Sequence, residues 1–97
     1  MATDPKRLKL QLDADPRFAA AAGGAVRYLA EASGMSEEVC REFQKATIAA
    51  CLKAFQSGPD ANHVIEFLRA EGRIEVIVNS GADSEPIRIA RPVIAAS

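Results

Sequence analysis

The 97 residues of this chain suffice for one small domain with a single hydrophobic core, and 48% of them are hydrophobic. The formal net charge of −1, with both signs interspersed, argues against a nucleic-acid or membrane-surface partner. No apolar run reaches the roughly 20 residues of a membrane span, and the N-terminus lacks the apolar segment of a signal peptide. We therefore expect a single domain over residues 1–97.

Both cysteines, Cys40 and Cys51, fall on one predicted helix and lie about 16 Å apart along its axis. That separation is too great for a disulfide between them. Small reduced cysteines in a core are typical of a cytoplasmic protein, and this is the localisation we expect.

The chain begins with a predicted strand and a predicted helix. Residues Lys6 to Leu12 alternate between leucine and polar side chains, which indicates a half-buried strand at a sheet edge. Asp15 and Pro16 form an N-cap followed by proline at the first helical position, and Gly34 ends the helix. Its predicted buried stripe comprises Phe18, Ala22, Ala25, Val26 and Leu29.

Gly23 and Gly24 lie in the alanine-rich centre of this first helix. A phosphate-binding loop would follow a strand directly and continue into a Lys-Ser/Thr pair, and neither feature is present. We interpret the two glycines as packing positions that admit a close neighbour, at some cost in helix propensity.

A second, longer helix is predicted from the N-cap Ser36 to Gln56, and the rest of the fold is organised around it. One broad face carries Val39, Cys40, Phe43, Ala46, Thr47, Ala50 and Ala54, and another carries Ile48, Leu52 and Phe55. A polar strip lies between them, formed by Glu38, Glu42, Lys45, Ala49, Lys53 and Gln56. This pattern predicts a helix that lies between a second helix and a sheet, with the polar strip along a cleft.

The segments after the second helix are predicted to form strands. His63 to Arg69 and Arg73 to Val78 are apolar and rich in β-branched residues, and they predict an antiparallel hairpin around Ala70-Glu71-Gly72. Asn79 to Ser84 form a predicted polar loop. Ile87, Ile89, Val93 and Ile94 indicate a short edge strand interrupted by Pro92. This element order predicts an α+β two-layer sandwich, with two helices on one face of a mainly antiparallel sheet.

Chemistry alone identifies no active site in this sequence. His63 is the only histidine, and we expect it to be structural or merely exposed. The chain contains no CxxC pair, no Walker lysine loop and no HExxH motif.

The order of segments over residues 6 to 86 nevertheless resembles a known family. The strand Leu8 to Leu12, the stretch Asp15-Pro16-Arg17-Phe18, Ala25 to Ala30 and Gly34 to Glu38 resemble the opening of the anti-sigma-factor serine kinases. These are histidine-kinase-like (GHKL) ATPases, whose nucleotide lies between a long helix and a sheet. Ala46 to Phe55 resembles the family's N-box helix, and Ile74 to Pro86 resembles its first glycine box.

The family's functional residues are largely replaced at the matching positions. Ala49 lies where the resemblance implies a catalytic glutamate, and Lys53 where it implies a magnesium-binding asparagine. Asn79 replaces the aspartate that contacts adenine, Gly81 keeps the first glycine of the box, and Asp83 replaces the second. Alanine cannot accept a proton, and an ammonium group would repel the metal.

The resemblance therefore implies a truncated, degenerate regulatory domain that binds a protein and is not an enzyme, with no cofactor. The implied partners are a sigma factor, an anti-sigma antagonist or a second copy of the chain. Two alternatives remain open: a residual nucleotide or small-ligand binder that uses Lys53, Asn79 and Gly81, and an unrelated α+β interaction module.

Overall fold

The computed structural model describes residues 6–57, 63–70, 72–80 and 86–92. Its elements are β1 (Lys6–Leu12), α1 (Pro16–Ala32), α2 (Glu37–Ser57), β2 (His63–Ala70), β3 (Arg73–Ser80) and β4 (Ile87–Pro92). The four strands form one antiparallel sheet, and both helices lie on the same face of it. The predicted α+β two-layer architecture is confirmed.

The sheet is a meander in the order β1-β2-β3-β4, so β1 and the proline-containing β4 lie at its edges, as predicted. Leu8 pairs with Phe67, and Phe67 with Val76, so these three side chains share the face that packs on the helices. The intervening residues belong to the opposite face, which we call the open face because neither α1 nor α2 lies on it. Its members are Arg7, Lys9, Gln11, Val64, Glu66, Leu68, Arg73, Glu75, Ile77, Asn79, Arg88, Ala90 and Pro92.

Side-chain and backbone caps fix the ends of the two helices. Asp15 accepts a hydrogen bond from the Arg17 amide at 2.9 Å, and Pro16 occupies the first turn of α1. Gly34, at φ +84°, donates to the Glu31 carbonyl, which closes a glycine C-cap. The α2 N-terminus is capped by Ser36, whose Oγ accepts from the Val39 amide at 3.3 Å.

The two helices pack closely because Gly23 has no side chain. A Cβ at this position would lie 2.5 Å from Cγ1 of Ile48 and 3.2 Å from Cγ of Gln44. A Cβ added at Gly24 would have no other atom within 4 Å. The packing interpretation therefore holds for Gly23, whereas Gly24 faces away from α2.

The core lies between the helices and the sheet. Its largest fully buried side chains include Phe43, Ile65, His63, Val26 and Val76. α2 is the central helix, because it packs on α1 along one side and on β3 and β4 along another. Arg91 fastens β4 to α2, since its Nη2 lies 2.9 Å from Oε1 of Glu42.

Two sequence-based predictions differ from the structure, and a third lies outside the described residues. Phe18 is 38% exposed, and Ala19 is the fully buried residue of that first turn. Asn79 and Ser80, predicted as loop, extend β3 because they pair with Val64 and His63 of β2. The predicted strand residues Val93 and Ile94 lie outside the described residues.

Candidate functional site

The polar strip of α2 is exposed along its whole predicted length. Glu38, Glu42, Lys45, Ala49, Lys53 and Gln56 are all solvent-exposed. Ala49 and Lys53 therefore lie one helical turn apart on an accessible surface, as the sequence indicated. At these two positions the surface presents a methyl group and an ammonium group in place of a carboxylate and an amide.

Asn79 does not share that surface with Ala49 and Lys53. The preceding residue, Val78, is buried against the helices, and β3 is regular here because Asn79 pairs with Val64. Alternation along the strand places the Asn79 side chain on the open face, with the sheet between it and α2. Gly81 and Asp83 lie outside the described residues, so the five-residue nucleotide site stays a prediction.

The structure contains a cleft elsewhere, between the C-terminal end of α1 and strands β1 to β3. Its volume is about 310 Å³, and it is lined by Arg7, Leu8, Leu29, Ala32, Ser33, Phe67, Leu68, Arg69 and Ile74. None of Ala49, Lys53 and Asn79 lines it. Sequence reasoning missed this cleft, although the signal was available in the leucines of β1 and in Leu29.

Charged side chains cluster on the open face. Nε of Arg7 lies 3.2 Å from Oε2 of Glu66. Glu75 contacts two guanidinium groups, those of Arg73 at 3.6 Å and Arg88 at 3.4 Å. Burial of a carboxylate is costly unless it is paired, and these arginines supply the pairing for Glu75.

The thiols and the imidazole lie in the core. Cys40, Cys51 and His63 are fully buried, and the His63 ring lies 4.8 Å from the Phe55 ring, centroid to centroid. Burial raises the pKa of the Cys51 thiol to about 11 and also raises the pKa of Cys40. Thiols with raised pKa values are poor nucleophiles at neutral pH, so a structural role fits both cysteines.

The described residues offer neither a metal-binding cluster nor a membrane-spanning helix. They contain no group of three or more His, Cys, Asp or Glu side chains placed to hold a metal ion. Neither α1 nor α2 combines the length and the apolar character that crossing a membrane requires.

No protein-family model, curated protein or solved structure matches this chain. The resemblance to anti-sigma-factor kinases thus depends on the sequence segments and their order alone. It stays a hypothesis.

Proposed function

We propose that this chain is a non-catalytic protein-binding domain, and that its open face receives an acidic segment of the partner protein. The observation that supports the proposal is the excess of positive charge among the solvent-exposed side chains of this face. The described open face contains four cations, Arg7, Lys9, Arg73 and Arg88, and two carboxylates, Glu66 and Glu75.

Exposure differs sharply between the two signs of charge. The side chains of Arg7, Arg73 and Arg88 are 61% to 64% exposed, whereas Glu66 and Glu75 are 20% and 12% exposed. The carboxylates therefore lie beneath the guanidinium groups and orient them. An approaching partner meets an excess of positive charge, although the whole chain carries −1.

The centre of the open face is apolar. Val64, Leu68 and Ile77 are partly buried there, although neither helix covers them. An apolar centre with a charged rim rich in arginine is the usual organisation of a protein interface. Nucleic acid fits less well, because no described residue of the open face is aromatic and base stacking needs such a platform.

The resemblance adds a regulatory role to this proposal. Under that resemblance, Ala49 and Lys53 stand in place of the groups that hydrolyse ATP, and the domain would serve binding alone. In that reading the partner is a sigma factor, an anti-sigma antagonist or a second copy of the chain, in the cytoplasm. A partner carrying an acidic amphipathic segment is the version that the charges of the open face favour.

A binding comparison with matched variants tests the proposal. The double variant Arg7→Gln, Arg88→Gln removes two exposed cations and leaves the contact between Arg73 and Glu75. We expect it to capture less partner from a cell extract than the wild type, while Lys53→Gln, a cation on α2, captures as much. Binding of the purified partner should also weaken as salt screens the charges.

Equal capture by all three proteins would contradict the use of the open face. Loss of capture with Lys53→Gln alone would move the binding surface to α2. A monomer at high micromolar concentration by light scattering would exclude a second copy as the partner.

The nucleotide-binding alternative has less support, since Asn79 projects from the open face and Lys53 from α2. Calorimetric titration with ATP and ADP, with and without magnesium, tests it directly. We expect no saturable heat. Binding that Lys53→Glu abolishes would instead establish an altered nucleotide site.

A further inference from the structure

The cleft between α1 and the sheet has a continuous apolar floor. Phe67 and Ile74 are buried at its base. Leu8 points toward the helix layer by strand register, yet it remains 42% exposed because α1 does not cover it. A large apolar side chain that belongs to the core face but stays accessible offers a binding surface to an apolar group.

The wall of the cleft on the α1 side leaves space. Leu29 is partly buried, and one turn further on the helix presents only the methyl group of Ala32. A volume of about 310 Å³ lies at the lower end of the range for small-molecule sites, roughly 300 to 1,000 Å³. The cleft is therefore suited to a small ligand with an apolar chain or ring.

Two arginines line this apolar cleft, and because Arg7 is paired with Glu66, Arg69 supplies the charge available to a ligand. It lies two residues beyond Phe67 on β2, so its side chain belongs to the same face, and it is exposed. No carboxylate lines the cleft, and Arg69 forms no salt bridge with any carboxylate of the described chain. Its guanidinium group can accordingly bind a carboxylate from a ligand in a bidentate fashion.

In the last turn of α1, the carbonyl groups of Leu29, Ala30 and Glu31 have hydrogen-bond donors. Ser33 donates both its backbone N–H, at 3.1 Å, and its Oγ–H, at 2.8 Å, to the Leu29 carbonyl. Met35 donates its N–H to the Ala30 carbonyl at 3.1 Å. These bonds satisfy acceptors near the helix C-terminus that would otherwise add to the negative charge beside the cleft.

We propose that this cleft binds a small organic acid, with the apolar body against Leu8, Leu29 and Phe67 and the carboxylate on Arg69. Arg7 and Leu68 of the open face border the cleft, but the proposed ligand contacts Leu8, Leu29, Phe67 and Arg69 lie on the helix side of the sheet. It has the two features that recognise such a ligand: an apolar volume and, in Arg69, a cation that no carboxylate of the described chain pairs.

Octanoate is a suitable probe, and octanol is its uncharged counterpart. Titration of the full chain, followed by amide chemical shifts, should show saturable changes at Leu8, Leu29, Phe67 and Ile74. Arg69→Met should weaken octanoate binding by about tenfold or more, since it removes a charge-assisted pair. Arg73→Met, a matched arginine on the open face, should leave the affinity unchanged.

A second variant fills the cleft without touching the cation. Ala32 is exposed at the end of α1, so Ala32→Phe is expected to keep the fold, checked by circular dichroism, and to abolish binding. The proposal is overturned if octanoate causes no saturable shifts at millimolar concentration. It is also overturned if octanol binds as well as octanoate, if Arg69→Met binds normally, or if the shifts map to the open face.

Discussion

Replacing Gly23 by alanine tests the packing of the two helices. The new Cβ would lie 2.5 Å from Cγ1 and 2.8 Å from Cδ1 of Ile48. Favourable contacts between carbon atoms lie near 3.5 to 4.0 Å, so the helices or the Ile48 side chain must move by about 1 Å. Gly24→Ala is the matched control, because its Cβ meets no atom within 4 Å.

Both substitutions gain the higher helix propensity of alanine, but only Gly23→Ala introduces a steric clash. Alanine in place of glycine inside a helix stabilises by about 1 kcal/mol, and both positions are interior to α1. Overpacking a core costs about 1 to 3 kcal/mol, and only Gly23→Ala incurs it. We therefore expect Gly24→Ala to be stabilised by up to about 1 kcal/mol, and Gly23→Ala to be about 1 to 3 kcal/mol less stable than Gly24→Ala.

Urea unfolding followed by far-ultraviolet circular dichroism measures both free energies, provided that the slope with denaturant is unchanged. Truncating Ile48 to alanine should remove most of the penalty at Gly23, which a double-mutant cycle would show as a favourable coupling. The packing argument fails if Gly23→Ala is as stable as Gly24→Ala, or if the cycle shows no coupling with Ile48.

Three further predictions concern charges and thiols. The Arg17 side chain lowers the pKa of Asp15, so the folded protein gains stability that is present above 3.8, the ordinary value, and is lost as pH falls through the lower folded value. Asp15→Asn keeps a capping oxygen, so its deficit in urea midpoint should be present at pH 7 and shrink below pH 3.8. With its pKa near 11, Cys51 should resist alkylation by iodoacetamide in the native protein at neutral pH and react on unfolding; fast native labelling would refute its burial. Glu42→Gln should cost under about 1 kcal/mol at low salt and less at high salt, because its contact with Arg91 is exposed; a salt-independent loss would point to another cause.

Most of the fold follows from local patterns in the sequence. Strict alternation placed β1 at Lys6–Leu12, and the caps at Asp15, Ser36 and Gly34 located the helix ends. The two apolar faces of α2 predicted its position between α1 and the sheet. These features depend on residues close together in the chain, which is why they can be read without knowledge of tertiary contacts.

Features that depend on tertiary contacts were harder to predict. Asn79 has low β propensity, yet pairing with Val64 draws it into β3 and turns its side chain to the open face. Phe18 has the spacing of a core residue, but α1 buries Ala19 in that turn instead. The excess of exposed positive charge on the open face comes from residues on four strands, so no single segment of the sequence predicts it.

The most direct test of the central claim is site-specific photo-crosslinking in cells. A photoreactive residue is placed at Ile77 in the centre of the open face, and in a second protein at Ala49 on the exposed strip of α2. We expect the Ile77 position to form an adduct with a protein that contains an acidic segment, and Ala49 to form none with that protein. An adduct at Ala49 without one at Ile77, or an adduct with nucleic acid, would contradict the proposed function.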